Sequence, residues 1–82
     1  MAPVPPLRRI HPDSVYQAGA AKLALEYWRG RPTDEIVRSL QPGAAEALRV
    51  KPDGRVVNGN TRLKVLEERG YDGNGLPREI IP

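Results

Sequence analysis

Between Val15 and Arg29 the apolar positions recur at helical spacing, but on two sides of the helix they predict. At about 3.6 residues per turn, Ala18, Ala21, Leu25 and Trp28 form one stripe. Tyr16, Ala20, Leu23 and Tyr27 form a second on nearly the opposite side, with Lys22, Glu26 and Arg29 on one flank between them. One stripe is core. The other is covered either by the rest of this chain or by a partner, a second copy included, which makes Tyr16, Leu23 and Tyr27 candidate interface residues. Asp13 or Ser14 reads as the N-cap of this helix, and Gly30-Arg31-Pro32 breaks it.

Thr33 reads as the next N-cap, with Asp34 and Glu35 in the first turn and Ile36, Val37 and Leu40 as the apolar face before Gln41-Pro42-Gly43. Residues 47–51 alternate as a strand. Asp53-Gly54 is a hairpin signal, predicting a primed turn into a second strand at Arg55-Val56-Val57. A helix from about Asn60 to Arg69 turns Leu63 and Leu66 inward and stops at Gly70. Leu76-Pro77 leads into a last short strand at Arg78 to Ile81, where the proline suits an edge or a strand start. Arg8-Arg9-Ile10 reads as a first strand, ended by Pro12. Residues 1–7 are Pro-rich and expected to be extended or disordered, ahead of a single domain at 8–82. The expected fold is α+β, a short mixed sheet with about three helices.

Composition narrows the chemistry. There is no cysteine, so disulfides and thiolate metal sites are excluded. The single histidine, His11, argues against zinc and leaves no other base for a serine nucleophile. No apolar run approaches the ~20 residues of a spanning helix, and the Met-Ala-Pro-Val-Pro-Pro start lacks a signal-peptide pattern. A cytoplasmic protein without a membrane partner is therefore expected. The net charge of +3 is uneven: residues 1–31 and 49–69 are basic and the stretch between them is acidic. Two basic regions meeting on one face would attract phosphates; the alternative is an ordinary solvated surface.

The most informative string is Asp53-Gly-Arg-Val-Val-Asn-Gly-Asn-Thr-Arg-Leu63, which reads turn, strand, glycine, helix start. Gly59 stands where a strand must turn sharply into a helix, so backbone can approach a ligand closely. Free amides near Asn60, Thr61 and Arg62, with the helix dipole, make an anion site, and Arg62 adds a forked, permanently charged donor. Asn58, Gly59, Asn60, Thr61 and Arg62 are the candidate phosphate-binding residues, with Arg55, Lys64 and Glu35 as auxiliary candidates. The alternative is an ordinary capped turn.

Asp53-Gly54, Val56-Val57, Gly59-Asn60-Thr61-Arg62-Leu63 and Gly70 resemble the signature of the ParB-like nuclease domain family, within the ParB/sulfiredoxin-like fold. The resemblance spans roughly residues 33–81, and Ile10-His11-Pro12 looks like the family's first strand and following proline. It implies that the G-x-x-R box, Gly59 to Arg62, contacts phosphates of a nucleotide or of nucleic acid. Sulfiredoxin-type reduction needs a cysteine in this box and is excluded here. Chromosome-partitioning members carry a helix-turn-helix domain after this one. With the sequence ending at Pro82, centromere-type recognition is not expected. The segment 15–29 reads as an insertion relative to compact members.

Three functions are compatible with these residues. The first is a nucleotide- or nucleic-acid-phosphate-binding module. The second is a nuclease or nucleotide-dependent phosphotransferase, in which a nucleoside triphosphate with Mg²⁺ would be the cofactor and Asp34, Glu35, Asp53 or His11 the acid–base candidates. The third is a non-catalytic interaction module, a regulator or toxin–antitoxin type partner, using Tyr16, Leu23 and Tyr27. The phosphate corner is visible and a catalytic constellation is not, so binding is the expectation.

Overall fold

A computed structural model describes residues 5–82. The prediction for residues 1–4 lies outside them. The fold is α+β, with three α-helices and a mixed sheet of four short strands. In chain order these are β1 (Arg8–Arg9), α1 (Gly19–Arg29), α2 (Thr33–Ser39), β2 (Arg49–Val50), β3 (Arg55–Asn58), α3 (Asn60–Glu68) and β4 (Glu79–Ile80). The sheet order is β1-β3-β2-β4, with β1 parallel to β3, β3 antiparallel to β2 and β4 parallel to β2. β4 lies at an edge of the sheet. Pro5 to Leu7 have no regular secondary structure and are tied down: the Leu7 N–H donates to Asn74 Oδ1 at 2.9 Å and the Pro5 carbonyl accepts from Arg78 at 2.9 Å.

Ile36, Leu40, Leu48, Val50, Val56, Val65 and Leu66 are fully buried, and Leu25, Leu63 and Leu76 close the core around them. Each fully buried aliphatic side chain is worth roughly 1.5–3 kcal/mol relative to exposure. The Ala21–Leu25–Trp28 stripe of α1 packs on this core, while Leu23 and Tyr27 remain exposed.

The predicted helix from Val15 to Arg29 is shorter than its pattern suggests. Residues 13–17 form a 3-10 turn, Ala18 is extended, and α1 starts at Gly19, whose φ is +70°. Glycine takes that left-handed conformation without the Cβ penalty that stops other residues. The break turns Tyr16 into the core at 6% exposure, so Tyr16 leaves the outer stripe, where Leu23 and Tyr27 remain. Neither Asp13 nor Ser14 caps a helix; Pro12 holds that position, with no side-chain bond. Likewise Pro32, not Thr33, precedes α2, and its carbonyl accepts from Glu35 and Ile36. Proline cannot cap with a side chain, but its extended backbone suits the position.

The hairpin forms where Asp53-Gly54 predicts, with a different turn. The Gly54 N–H donates to the Lys51 carbonyl at 2.9 Å, and only Gly54 of the turn has positive φ, +95°. Pro52 fixes a negative φ at the first central position, which forbids a primed turn. A Cβ on Gly54 would overlap the Pro6 carbonyl, so glycine is required here twice over. Between β2 and β3 the register shifts: Arg49 faces Asn58 and Val50 faces Val56, leaving Val57 as a bulge just before the strand ends. Helix α3 closes with Gly70 at φ +77°, the Gly70 N–H donating to Glu67 and Tyr71 to Leu66, a Schellman motif.

Candidate functional site

The bulged end of β3, Gly59 and the start of α3 open onto a cavity of about 340 Å³. Asn58, Gly59, Asn60, Thr61 and Arg62 all line it, joined by His11, Ala24, Trp28, Glu46 and Val57. Gly59 has φ +114°, and a Cβ there would come within 3.1 Å of Leu40 and 3.2 Å of Leu48. The conformation therefore demands glycine and the packing favours it, since two core leucines lie where a Cβ would point.

The first intrahelical bond of α3 runs from the Leu63 N–H to the Gly59 carbonyl at 2.9 Å. The N–H groups of Asn60, Thr61 and Arg62 precede it, and no side chain caps them. They are the positive end of the helix. Beside them Arg62 is only 5% exposed. One of its terminal nitrogens, Nη1, donates to the Ser39 carbonyl at 3.2 Å and to Ser39 Oγ at 3.0 Å. The guanidinium carbon sits 5.5 Å from the centre of the Trp28 ring. It makes no ion pair with the described residues. Burial pushes its pKa below the usual arginine value, opposed by the charge of Glu46. An arginine does not give up its proton for this, so the site holds a buried, incompletely compensated cation.

The neighbouring polar side chains divide by role. Asn60 is consumed by the fold: its Nδ2 donates to Val56 at 2.9 Å and its Oδ1 accepts from Ile10 at 3.0 Å, so it offers a ligand its backbone alone. That bond also brings His11, the next residue, to the mouth of the cavity. Thr61 Oγ1 lies 3.3 Å from the Tyr16 hydroxyl. Asn58 Nδ2 donates to the Ala47 carbonyl at 2.9 Å, which leaves its Oδ1 as an acceptor. Glu46 Oε2 lies 3.5 Å from the same nitrogen, and Glu46 is otherwise solvent-exposed.

The three auxiliary candidates lie elsewhere. Arg55 is bound to Asp53 on the hairpin at 2.9 Å. Lys64 pairs with Asp13 at 3.2 Å and lies over the Tyr16 ring. Glu35 pairs with Arg31 at 2.6 Å. None lines the cavity. Two wall residues, Trp28 and Glu46, have no local signal in the sequence, since each arrives from a separate element. Trp28 is held by Arg69, whose guanidinium donates to the carbonyls of Arg29 at 3.0 Å and Arg31 at 2.7 Å and to Thr33 Oγ1 at 2.9 Å. These bonds fix the C-terminus of α1 against α3. Among the described residues no group of His, Cys, Asp or Glu is placed to hold a metal ion, and no helix is long and apolar enough to cross a membrane.

No family model, curated protein or solved structure matches the chain.

Proposed function

We propose that this chain binds a phosphate group, of a nucleotide or a nucleic acid, at the corner formed by Gly59 to Arg62. The observation that carries this reading is Arg62: an arginine 5% exposed and without an ion pair to the described residues, lining the cavity beside the open amides of α3. Removing a cation from water costs several kcal/mol after relaxation, and Ser39 supplies only neutral acceptors in return. A phosphate at this corner would supply the missing charge. The resemblance of Gly59-Asn60-Thr61-Arg62 to the ParB-like box supports the same reading and extends it to a ParB/sulfiredoxin-like fold.

Trp28 lies against Arg62 and reports on the site. Titration with inorganic phosphate, nucleotides and a short DNA duplex should change Trp28 fluorescence, and Arg62→Ala should remove the response. An equal response in a folded Arg62→Ala protein would overturn the proposal.

A second reading has one observation in its favour. Leu23 and Tyr27 are 67% and 57% exposed one helical turn apart on α1, as an interaction module would require. Sedimentation that stays monomeric at high concentration, for both the native chain and Leu23→Lys, would remove self-association from consideration.

A further inference from the structure

Donors and acceptors both line the cavity. The donors are the amides of Asn60 to Arg62 and the Arg62 guanidinium. The acceptors are Glu46 and Asn58. Among the described residues Glu46 is the only carboxylate lining the cavity; it forms no ion pair, and its charge reaches Arg62. Asn58 turns its Oδ1 away from Ala47, because the Ala47 carbonyl can only accept and so holds the amide nitrogen. A single phosphate fills far less than about 340 Å³, and the volume sits at the low end of the roughly 300–1,000 Å³ typical of small-molecule sites.

We propose that the ligand is a phosphate monoester that also carries an amino group, with Glu46 and Asn58 as the residues that select for that group. This rests on the phosphate reading above and narrows it. A long polyanion fits poorly, because a second or third phosphate in the cavity would share it with the Glu46 carboxylate. An amino group in the same place donates to Glu46 and to Asn58 Oδ1. The amino group can belong to a nucleobase or to an alkylammonium; the chemistry recognised is the same.

The test is an amide-shift titration of the full chain with sulfate, with the pairs CMP/UMP and AMP/IMP, with O-phosphoethanolamine, and with ATP with and without Mg²⁺. Each nucleotide pair exchanges an amino donor for a carbonyl acceptor and turns the neighbouring ring nitrogen, N3 of the pyrimidine or N1 of the purine, from an acceptor into a donor; phosphoethanolamine has no such ring nitrogen. All monophosphates and sulfate should move the amides of Asn60, Thr61 and Arg62. CMP should bind about tenfold or more tightly than UMP, and AMP than IMP, as expected for a hydrogen bond to a charged acceptor. In Glu46→Gln the gap should shrink to about threefold or less, since an amide can turn to donate or accept. Sulfate should bind that variant more tightly, because a like charge has gone. Phosphoethanolamine binding above CMP assigns the donor to an alkylammonium, and the reverse order to a base.

Equal affinities within both pairs, with phosphoethanolamine no better than sulfate, would overturn the selection by Glu46 and leave the phosphate corner standing. ATP binding more tightly than AMP would overturn it too. Sulfate and every nucleotide leaving the amides unmoved would overturn both proposals.

Discussion

Gly59 and Asn60 illustrate how adjacent residues can be required for different reasons. Gly59 combines φ +114° with leucines about to touch a missing Cβ. Gly59→Ala should therefore destabilise the fold by roughly 1–3 kcal/mol, read as a lower urea midpoint at unchanged m-value. Asn60 joins β1 to the β3–α3 corner through its two side-chain bonds, at 5% exposure. Asn60→Ala leaves a buried N–H and a buried carbonyl without partners and should cost about 1–3 kcal/mol. Asn60→Asp restores the bond to Ile10 but not the one to Val56, so it should recover no more than part of the loss. The box Gly59-Asn60-Thr61-Arg62 was legible in the sequence because glycine and a polar helix start are local signals. The division of labour within it was not, since the partners Ile10, Val56 and Ser39 are distant in the chain.

At the scale of elements, agreement between sequence and structure follows locality. Gly70, the hairpin at Asp53-Gly54 and the limits of α3 depend on backbone preferences within a few residues, and each element falls where its pattern places it. The extent of α1 does not. Its apolar periodicity runs through Gly19, but burial of Tyr16 and a left-handed glycine end the helix there, so tertiary packing overrides the pattern. Pro52 altered the turn type for a reason visible in the sequence: a fixed negative φ. The wall of the cavity was the least legible part, because Trp28 reaches it from α1, whose end Arg69 ties to α3 through bonds distant in the chain. Arg69→Ala should release that end. Amide exchange should rise at Gly30 and Arg31, whose N–H groups close the last turn, and Trp28 emission should shift to the red. Unchanged exchange and emission would show that the Arg29–Glu68 pair suffices to hold α1.

Across the whole molecule, much of the positive charge is paired. Arg8, Arg9, Arg29, Arg31, Arg55 and Lys64 all sit within ion-pair distance of carboxylates, mostly on other elements. Among the described residues Lys22, Lys51, Arg62, Arg69 and Arg78 make no ion pair with a side-chain carboxylate, and of these five Arg62 lines the Gly59 cavity. The same pairs make stability depend on acid. Lys64 holds Asp13 below the usual carboxyl range, Arg31 does so for Glu35, and Arg29 for Glu68. The Arg55 N–H lowers Asp53 and the Gly43 N–H lowers Glu79. A folded-state pKa below the unfolded one contributes stability above the unfolded value, and that contribution fades as pH falls through the folded value. Melting temperature should be level above about pH 5.5, fall as the pH drops past the ordinary glutamate value of 4.5, and keep falling below the aspartate value of 3.8. All five carboxylates are exposed or nearly so, and added salt should reduce the contribution from their cationic partners. A melting temperature that rises on acidification would contradict this assignment.

The most direct test of the phosphate corner is a sulfate titration followed by amide shifts, in the native chain, in Arg62→Ala and in Arg62→Lys. Sulfate keeps its charge over the whole range, so only the protein's groups matter. Saturable shifts centred on Gly59 to Leu63 in the native chain, lost in Arg62→Ala and partly kept in a folded Arg62→Lys, are the predicted result. Shifts that are absent from this corner, or equally strong without the guanidinium, would contradict it.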